Sequence, residues 1–334
     1  MQGIKRIFLA LLMLLPSVGF FACSSDKAPA KAASKGSSSE IVVVAENNLW
    51  KTSLGDTIRN YFSSFRAGLP QPEPLYTLVQ INLSEFGRLF ETHRNILAIA
   101  IDSSLTKEKV EIGYDVWAAP QRVVKITAPS IEMLKATFKA KQKEIFNLYE
   151  NAEIKRLQNL YSKSHNIKSI EAVSKKFHIS LNIPADYYLA VNKDNFIWLR
   201  REATTMSQGI LIYSYPFTDT LAYNPRKIQS VRNQFTRLYV PGPSDSSYMI
   251  ISNHEIKPVT RTLSLKNQYA VETRGLWETE GDFMGGPFIN YTFVDKKNNM
   301  VIALDGFVYA PNVDKAQFLK EVQAILLSFE FIDK

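Results

Sequence analysis

Two neighbouring stretches of this sequence carry residue types at spacings that could do chemistry. Arg274-Gly-Leu-Trp277-Glu278-Thr-Glu280-Gly-Asp282 reads as a strand, where Arg274, Glu278 and Glu280 fall on one face because side chains alternate. A carboxylate pair beside an arginine, Glu278 and Glu280, is suited to acid–base work on a glycan. The same face is also what a solvated strand with cross-strand ion pairs would show. Met284-Gly285-Gly286-Pro287-Phe288 follows at once. Two glycines allow a turn at positive φ or the close approach of another backbone, and Pro287 fixes the exit. The stretch is a hairpin connection, or a recognition loop framed by Met284 and Phe288. Arg274, Trp277, Met284, Gly285, Gly286 and Phe288 are therefore the candidate binding residues, since Trp and Arg most often anchor interfaces. A buried Trp277 would instead be core.

A third chemistry-bearing residue is Cys23, the only cysteine of the chain. Lys5 and Arg6 precede an unbroken apolar run from Ile7 to Leu15, then Pro16, Ser17 and Gly19, and no acidic residue occurs before Asp26. That is the layout of a signal peptide, over 1–22, and its apolar run is shorter than the ~20 residues a membrane span needs. Ala22-Cys23 ends it as lipoprotein signals end, with the thiol taking a diacylglycerol, although Phe20 stands where Leu is usual. A single cysteine cannot form an internal disulfide, and acylation accounts for its presence and its solitude. Residues 23–40 are Ser, Ala and Lys with little else, and read as a lipidated flexible tether. The expected address is the cell envelope, most naturally the outer membrane, with the bilayer as partner through acylated Cys23.

Other chemistries are disfavoured. Zinc sites and nucleophiles built on cysteine need a second use of Cys23. His93, His165, His178 and His254 are scattered with no metal-ligand spacing, so no metal or cofactor is expected. With 14 glycines in 334 residues, no Gly-rich phosphate loop or dinucleotide fingerprint is present, and no Gly-x-Ser-x-Gly elbow. Of 40 basic residues, removal of Lys5 and Arg6 leaves 38 against 32 acidic ones, a modest excess that falls short of a nucleic-acid footprint.

The elements that must position these residues alternate. In the first half (41–165), Ile41 to Ala45, Leu75 to Ile81, Asn95 to Ile101 and Arg122 to Thr127 read as strands. Ser53-x-x-Asp56 caps a helix bearing Ile58, Tyr61, Phe62 and Phe65, with Gly68 past its end. Leu69-Pro-Gln-Pro-Glu-Pro74 is a stiff connector or a docking segment for a partner. Ser130 opens a long helix with Leu134, Phe138, Ile145 and Tyr149 on one side and Lys135, Lys139, Lys141 and Lys143 on the other. That basic side is a solvated face or one that touches lipid headgroups. After the polar stretch Ser162 to Ser169, the second half (166–334) holds strands at 187–191, 195–201, 209–213, 258–265, 268–278, 288–294 and 300–309. A helix follows Asn224-Pro225, and a closing helix is capped by Asp314-x-x-Gln317. The fold class expected is α+β, largely antiparallel with helices on one face, in two subdomains.

Leu69-Pro-Gln71, Arg94-Asn-Ile96, Trp117-Ala-Ala-Pro-Gln121, Arg274-Gly-Leu-Trp277, Met284-Gly-Gly-Pro287 and Asp305-Gly-Phe-Val-Tyr-Ala-Pro311 resemble the motifs of an uncharacterised lipoprotein family of Gram-negative bacteria. The resemblance runs over nearly the whole chain. It implies a lipoprotein address and a single-unit organisation, and it implies no activity. The function expected is non-catalytic binding or scaffolding of an unknown envelope protein or glycan. A metal-independent hydrolase or lyase using Glu278 and Glu280 is the alternative.

Overall fold

The computed structural model describes residues 31–254 and 256–332; the signal peptide, Cys23 and residues 24–30 lie outside them. β1 (Ala32–Ala33) runs parallel to Ala118 and Ala119. Ser34 N donates to Ala119 O and Lys35 N to Thr92 O, at 3.1 and 2.8 Å. Residues 32–39 are thus built into the body and are not the flexible tether their composition implies. That composition shows only that no side chain here can fill a core, whereas backbone pairing needs no side chain.

β2 (Glu40–Val44) follows, its Ile and Val side chains buried on an inner strand of the first sheet. Then come α1 (Asn47–Trp50), α2 (Ser53–Phe62) and β3 (Thr77–Ile81). Thr52, one residue earlier than expected, caps α2 by accepting from Leu54 N, and Asp56 lies in the first turn. The helix stops at Phe62. Phe65, expected on its inner side, is exposed and instead bridges to Pro74. α3 (Arg88–Glu91), β4 (Asn95–Ile101), β5 (Lys109–Tyr114), β6 (Ala118–Ala119) and β7 (Arg122–Ala128) lead to α4 (Ile131–Tyr161). Ser130 Oγ caps α4 as expected, accepting from Met133 N. Lys139, Lys141 and Lys143 are exposed on its solvated face.

The sheet order is β3-β2-β4-β7-β5. Its first three pairings are parallel and only β7–β5 is antiparallel. The antiparallel expectation therefore describes the second half alone, because α2 and α3 act as crossovers here and crossovers bring strands back parallel. Phe62, Phe138 and Tyr149 cover one face, and Phe86 and Phe90 cover Val42, Val44 and Ile96 on the other.

The second half opens with α5 (Ile167–Phe177) and β8 (Ile179–Ser180), followed by β9 (Tyr188–Lys193), β10 (Phe196–Glu202) and β11 (Ser207–Pro216). α6 (Pro225–Tyr239) is capped by Asn224, as its Asn-Pro start requires. β12 (Tyr248–Ile251), β13 (Val259–Leu265), β14 (Gln268–Glu280), β15 (Gly285–Asp295), β16 (Met300–Tyr309), α7 (Ala316–Leu326) and β17 (Glu330–Phe331) complete it. An antiparallel sheet runs β12-β14-β15-β16-β11-β10-β9, with β13 pairing the remainder of β14. β8 and β17 form a separate pair.

The mixed α+β class is as expected, but helices cover both faces of this sheet. α5 and α7 supply Phe177, Val322 and Leu326 to one face, and α6 supplies Val231 and Phe235 to the other. β15 and β16 are buried along almost their whole length, so both of their faces demand cover.

The described residues from Ala32 onward form one compact unit. The proline-rich stretch after α2 helps to close it. Leu69 is buried in the second half's core, and Glu73 accepts from Lys315 N at 2.7 Å and from Ala316 N at 2.8 Å. The expected Asp314 cap is not used: α7 has no cap from its own neighbours, and Glu73 supplies the acceptor from 242 residues away. The connector docks on this chain itself. Glu73→Ala should lower the urea midpoint by an amount equal to about 1–3 kcal/mol, with Glu73→Gln recovering part of it. An unchanged midpoint in Glu73→Ala would show that the clasp holds nothing.

Candidate functional site

β14 carries the predicted site residues past three separate clefts, and the structure distributes them. Arg274 points to the junction of the two halves. Its Nε donates to Glu272 Oε1 at 2.8 Å, and Arg261 grips the same carboxylate with Nε and Nη2 at 2.8 and 2.9 Å. Tyr291 adds its hydroxyl at 2.9 Å. Facing them is a second clamped carboxylate, Glu150. It accepts from Arg66 at 2.9 Å, Tyr76 at 2.8 Å and Lys320 at 3.1 Å. The two clusters line one cleft of about 440 Å³. Burial pushes both carboxyls up, but the facing cations prevail and hold each at about 2: Lys320 and Arg66 for Glu150, Arg274 and Arg261 for Glu272.

Glu278 and Glu280 belong elsewhere. They lie on the face of β14 that Arg274 shares, but four and six residues further on, at roughly 3.3 Å per residue. The expected carboxylate pair beside an arginine is thus not assembled, because Glu272 has taken the arginine. Glu278 Oε1 lies 3.3 Å from the exposed His254 Nε2, and Glu280 is exposed. Both border an open cleft of about 480 Å³ over the turn that follows β14.

That turn is not where the glycine pair places it. The chain reverses at residues 281–284, with Gly281 at φ +83°. Thr279 N donates to Met284 O, and Asp282 accepts from Phe283 N. Phe283 stands fully exposed at the tip. Gly285 and Gly286 are already strand. Gly286 answers to the second reading of a glycine pair, close approach: a Cβ there would lie 2.0 Å from Val308 O. Phe288 does not frame a loop. It is buried, with the Arg232 guanidinium 4.0 Å over its ring. Trp277 is buried too, donating from Nε1 to Val308 O at 3.2 Å, so it is core and not an exposed anchor.

Trp277 and Met284 nevertheless line a third cleft, an apolar groove of about 390 Å³ on the α6 side of the sheet. Its other walls are Trp198, Met249, Phe307 and Tyr309, with Arg200 stacked 4.9 Å over Trp198. Trp198 Nε1 and Arg200 Nε are buried without a hydrogen-bond partner among the described residues. Sequence reading found two residues of this groove and missed the rest. The available signal was strand alternation, which puts Phe196, Trp198 and Arg200 on one face of β10. What it could not give was the pairing order that lays β10, β11, β16, β15 and β14 side by side.

Among the described residues, no three His, Cys, Asp or Glu side chains are grouped to hold a metal ion. No helix among them is long and apolar enough to cross a membrane. Residues 34–162 match the family model "Domain of unknown function (DUF8532)", and residues 166–328 match "Domain of unknown function (DUF4837)". The two halves of the chain match two domains of unknown function. The groove lies within the DUF4837 match, whereas the charged junction cleft draws on both. No curated protein matches the sequence. Among solved structures, the Ran-binding protein Mog1p of Saccharomyces cerevisiae is similar at 8% identity and TM-score 0.31, over 47% of this chain and 91% of that one. LpqN of Mycobacterium tuberculosis, described as involved in cell envelope biogenesis, is similar at 15% identity and TM-score 0.27, over 44% and 79%. Neither score reaches that of a shared fold.

Proposed function

We propose that this chain is a lipid-anchored protein of the bacterial outer membrane, and that its second half binds an anionic amphiphile in the aromatic groove without catalysis. The groove carries the reading. Its size, its aromatic and methionine walls and its few polar groups are those of a ligand site. Met249 and Met284 give walls that adapt to the apolar part of a ligand. Arg200 at the rim, whose Nη2 pairs with Glu202 Oε1, brings a cation to its anionic end, and Trp198 Nε1 and Arg200 Nε, without a partner among the described residues, are buried donors of the kind that call for an acceptor. The lining includes no carboxylate, imidazole or lysine, and its one phenol, Tyr309, has no base beside it in the lining, which favours holding a ligand over transforming it. The anchor rests on the layout of residues 5–23 and on Cys23 being the chain's only cysteine.

Calorimetric titration of the full chain with palmitate and with lysophosphatidylglycerol tests the groove. Saturable binding is expected, weakened about tenfold or more in Arg200→Glu at an unchanged melting temperature. Absence of saturable binding, or binding indifferent to Arg200→Glu, would sink the groove as a ligand site.

A further inference from the structure

Three cations of this chain line one small recess at the junction of its halves. Arg66 comes from the stretch that follows α2, Arg274 from β14 and Lys320 from α7, with the Gln323 amide and the apolar Leu69 and Leu319 beside them. The lining includes no carboxylate. The recess measures about 10 Å³, the room of a single water-sized particle. Arg66, Arg274 and Gln323 also line the larger junction cleft, so the recess adjoins it.

Packing of the backbone holds these like charges together. Leu69 is anchored in the second half's core. Gly68, at φ +78°, lies so close to β14 that a Cβ on it would stand 3.2 Å from Arg274 Cβ. Arg66 is thereby kept beside Arg274 although the two guanidinium groups repel.

The bonds these cations make do not cancel their charge. Arg66 and Lys320 share Glu150, and Arg274 shares Glu272 with Arg261. Four cations thus stand against two carboxylates, an excess of two. Glu73, the carboxylate at the start of α7, is spent on Lys315 N and Ala316 N and does not line the recess. Lys320 is 3% exposed. Burial pulls its ammonium below the ordinary value, Glu150 works against this, and Arg66 adds to it. Arg66 Nε is buried without a hydrogen-bond partner among the described residues, and the Arg274 guanidinium bonds only Glu272 among them.

We infer that this recess binds one monatomic anion, a halide such as chloride, which clasps the two halves. Buried cations in excess carry a desolvation cost that a paired anion offsets. Size selects the class. Phosphate, sulfate and carboxylate ligands need more room than one water-sized particle, whereas chloride is little larger than water. Water itself is the rival occupant: it fits, but it brings no charge.

The test follows the melting temperature of the full chain as sodium chloride replaces sodium gluconate at a constant ionic strength of about 0.2 M, which keeps screening fixed. The expected rise is about 3 °C or more, growing with the logarithm of chloride concentration as single-site binding to the folded chain requires. Bromide should reproduce it. A rise that is absent, or strictly proportional to concentration, overturns the site, since a general salt effect has that linear form. In Arg66→Gln and in Arg274→Gln the rise should shrink to about a third or less, whatever the starting melting temperature of each, as a tenfold loss of affinity implies. An undiminished rise in both variants places the chloride effect elsewhere on the molecule and overturns the recess. Crystals of the unaltered chain grown in bromide give a reading independent of the variants. An anomalous peak touching Arg66 and Arg274 is expected, and an ordinary water in its place overturns the inference.

Discussion

Asp305→Ala should cost about 3–5 kcal/mol of stability, and Arg232→Met with Asp305→Leu together should cost far less. The two side chains are 0% and 1% exposed, between α6 and the centre of the sheet. Arg232 Nε and Nη2 donate to the two Asp305 oxygens at 2.8 and 3.2 Å, and Asn290 adds a third bond at 2.9 Å. Burial pushes the Asp305 carboxyl up, against the pull of Arg232 and Asn290. Removing the carboxylate leaves a guanidinium in the core with nothing to neutralise it, and that charge cannot be shed. Arg232 Nη1 already lacks a hydrogen-bond partner among the described residues, so the pair begins incompletely satisfied. An apolar pair of similar volume removes both desolvation costs at once. Guanidinium unfolding of the three proteins decides the matter. If the double variant is as unstable as Asp305→Ala, the cost lies in lost packing and not in the orphaned charge.

This pair shows where sequence reading stops. Asp305 sits in an Asp305-Gly-Phe motif, and Arg232 on a helix whose inner residues, Ile228, Val231 and Phe235, were legible from their spacing. That spacing puts position 232 on the same face, but it does not say what neutralises an arginine there, since its partner lies 73 residues away. Elements were legible where one physical signal dominates: the valine run of β2, the Ser130 cap, the Asn-Pro start of α6. α5 is not legible, although Ile167, Ile170, Val173 and Phe177 recur at helical spacing, because its first turn lies in the polar stretch Ser162 to Ser169, which reads as the end of a domain. Sheet order was not legible at all. It decides that Arg261 and Tyr291 join Arg274 on Glu272, that Glu278 and Glu280 face another cleft, and that Phe288 is core. The Arg274–Phe288 stretch owes its unusual residues to close packing at Gly286 and ion pairing at Arg274, not to a loop held open.

Acid should unlatch the two halves. Glu150 and Glu272 both line the junction cleft, with side chains 16% and 3% exposed. Their cations hold each at about 2, against 4.5 for an ordinary glutamate. A carboxyl whose folded value is depressed binds its proton more readily in the unfolded chain. Its contribution is therefore complete above pH 4.5 and is lost as the pH falls toward 2. Each drop is worth about 3 kcal/mol at neutral pH, an appreciable fraction of a stability of roughly 5–15 kcal/mol. Stability measured by chemical denaturation should then be nearly flat from pH 7 to 5. Below that it should fall with a slope approaching about 2.7 kcal/mol per pH unit, twice the single-group limit. Protonation frees Arg66 of the first half and Lys320, Arg261 and Arg274 of the second, so like charges face one another in the cleft as the pairs are lost. Glu150→Gln with Glu272→Gln should be less stable at pH 7 and show a much flatter acid limb. An acid limb as steep in that variant as in the unaltered chain would place the acid sensitivity at other carboxylates and leave the junction out of it.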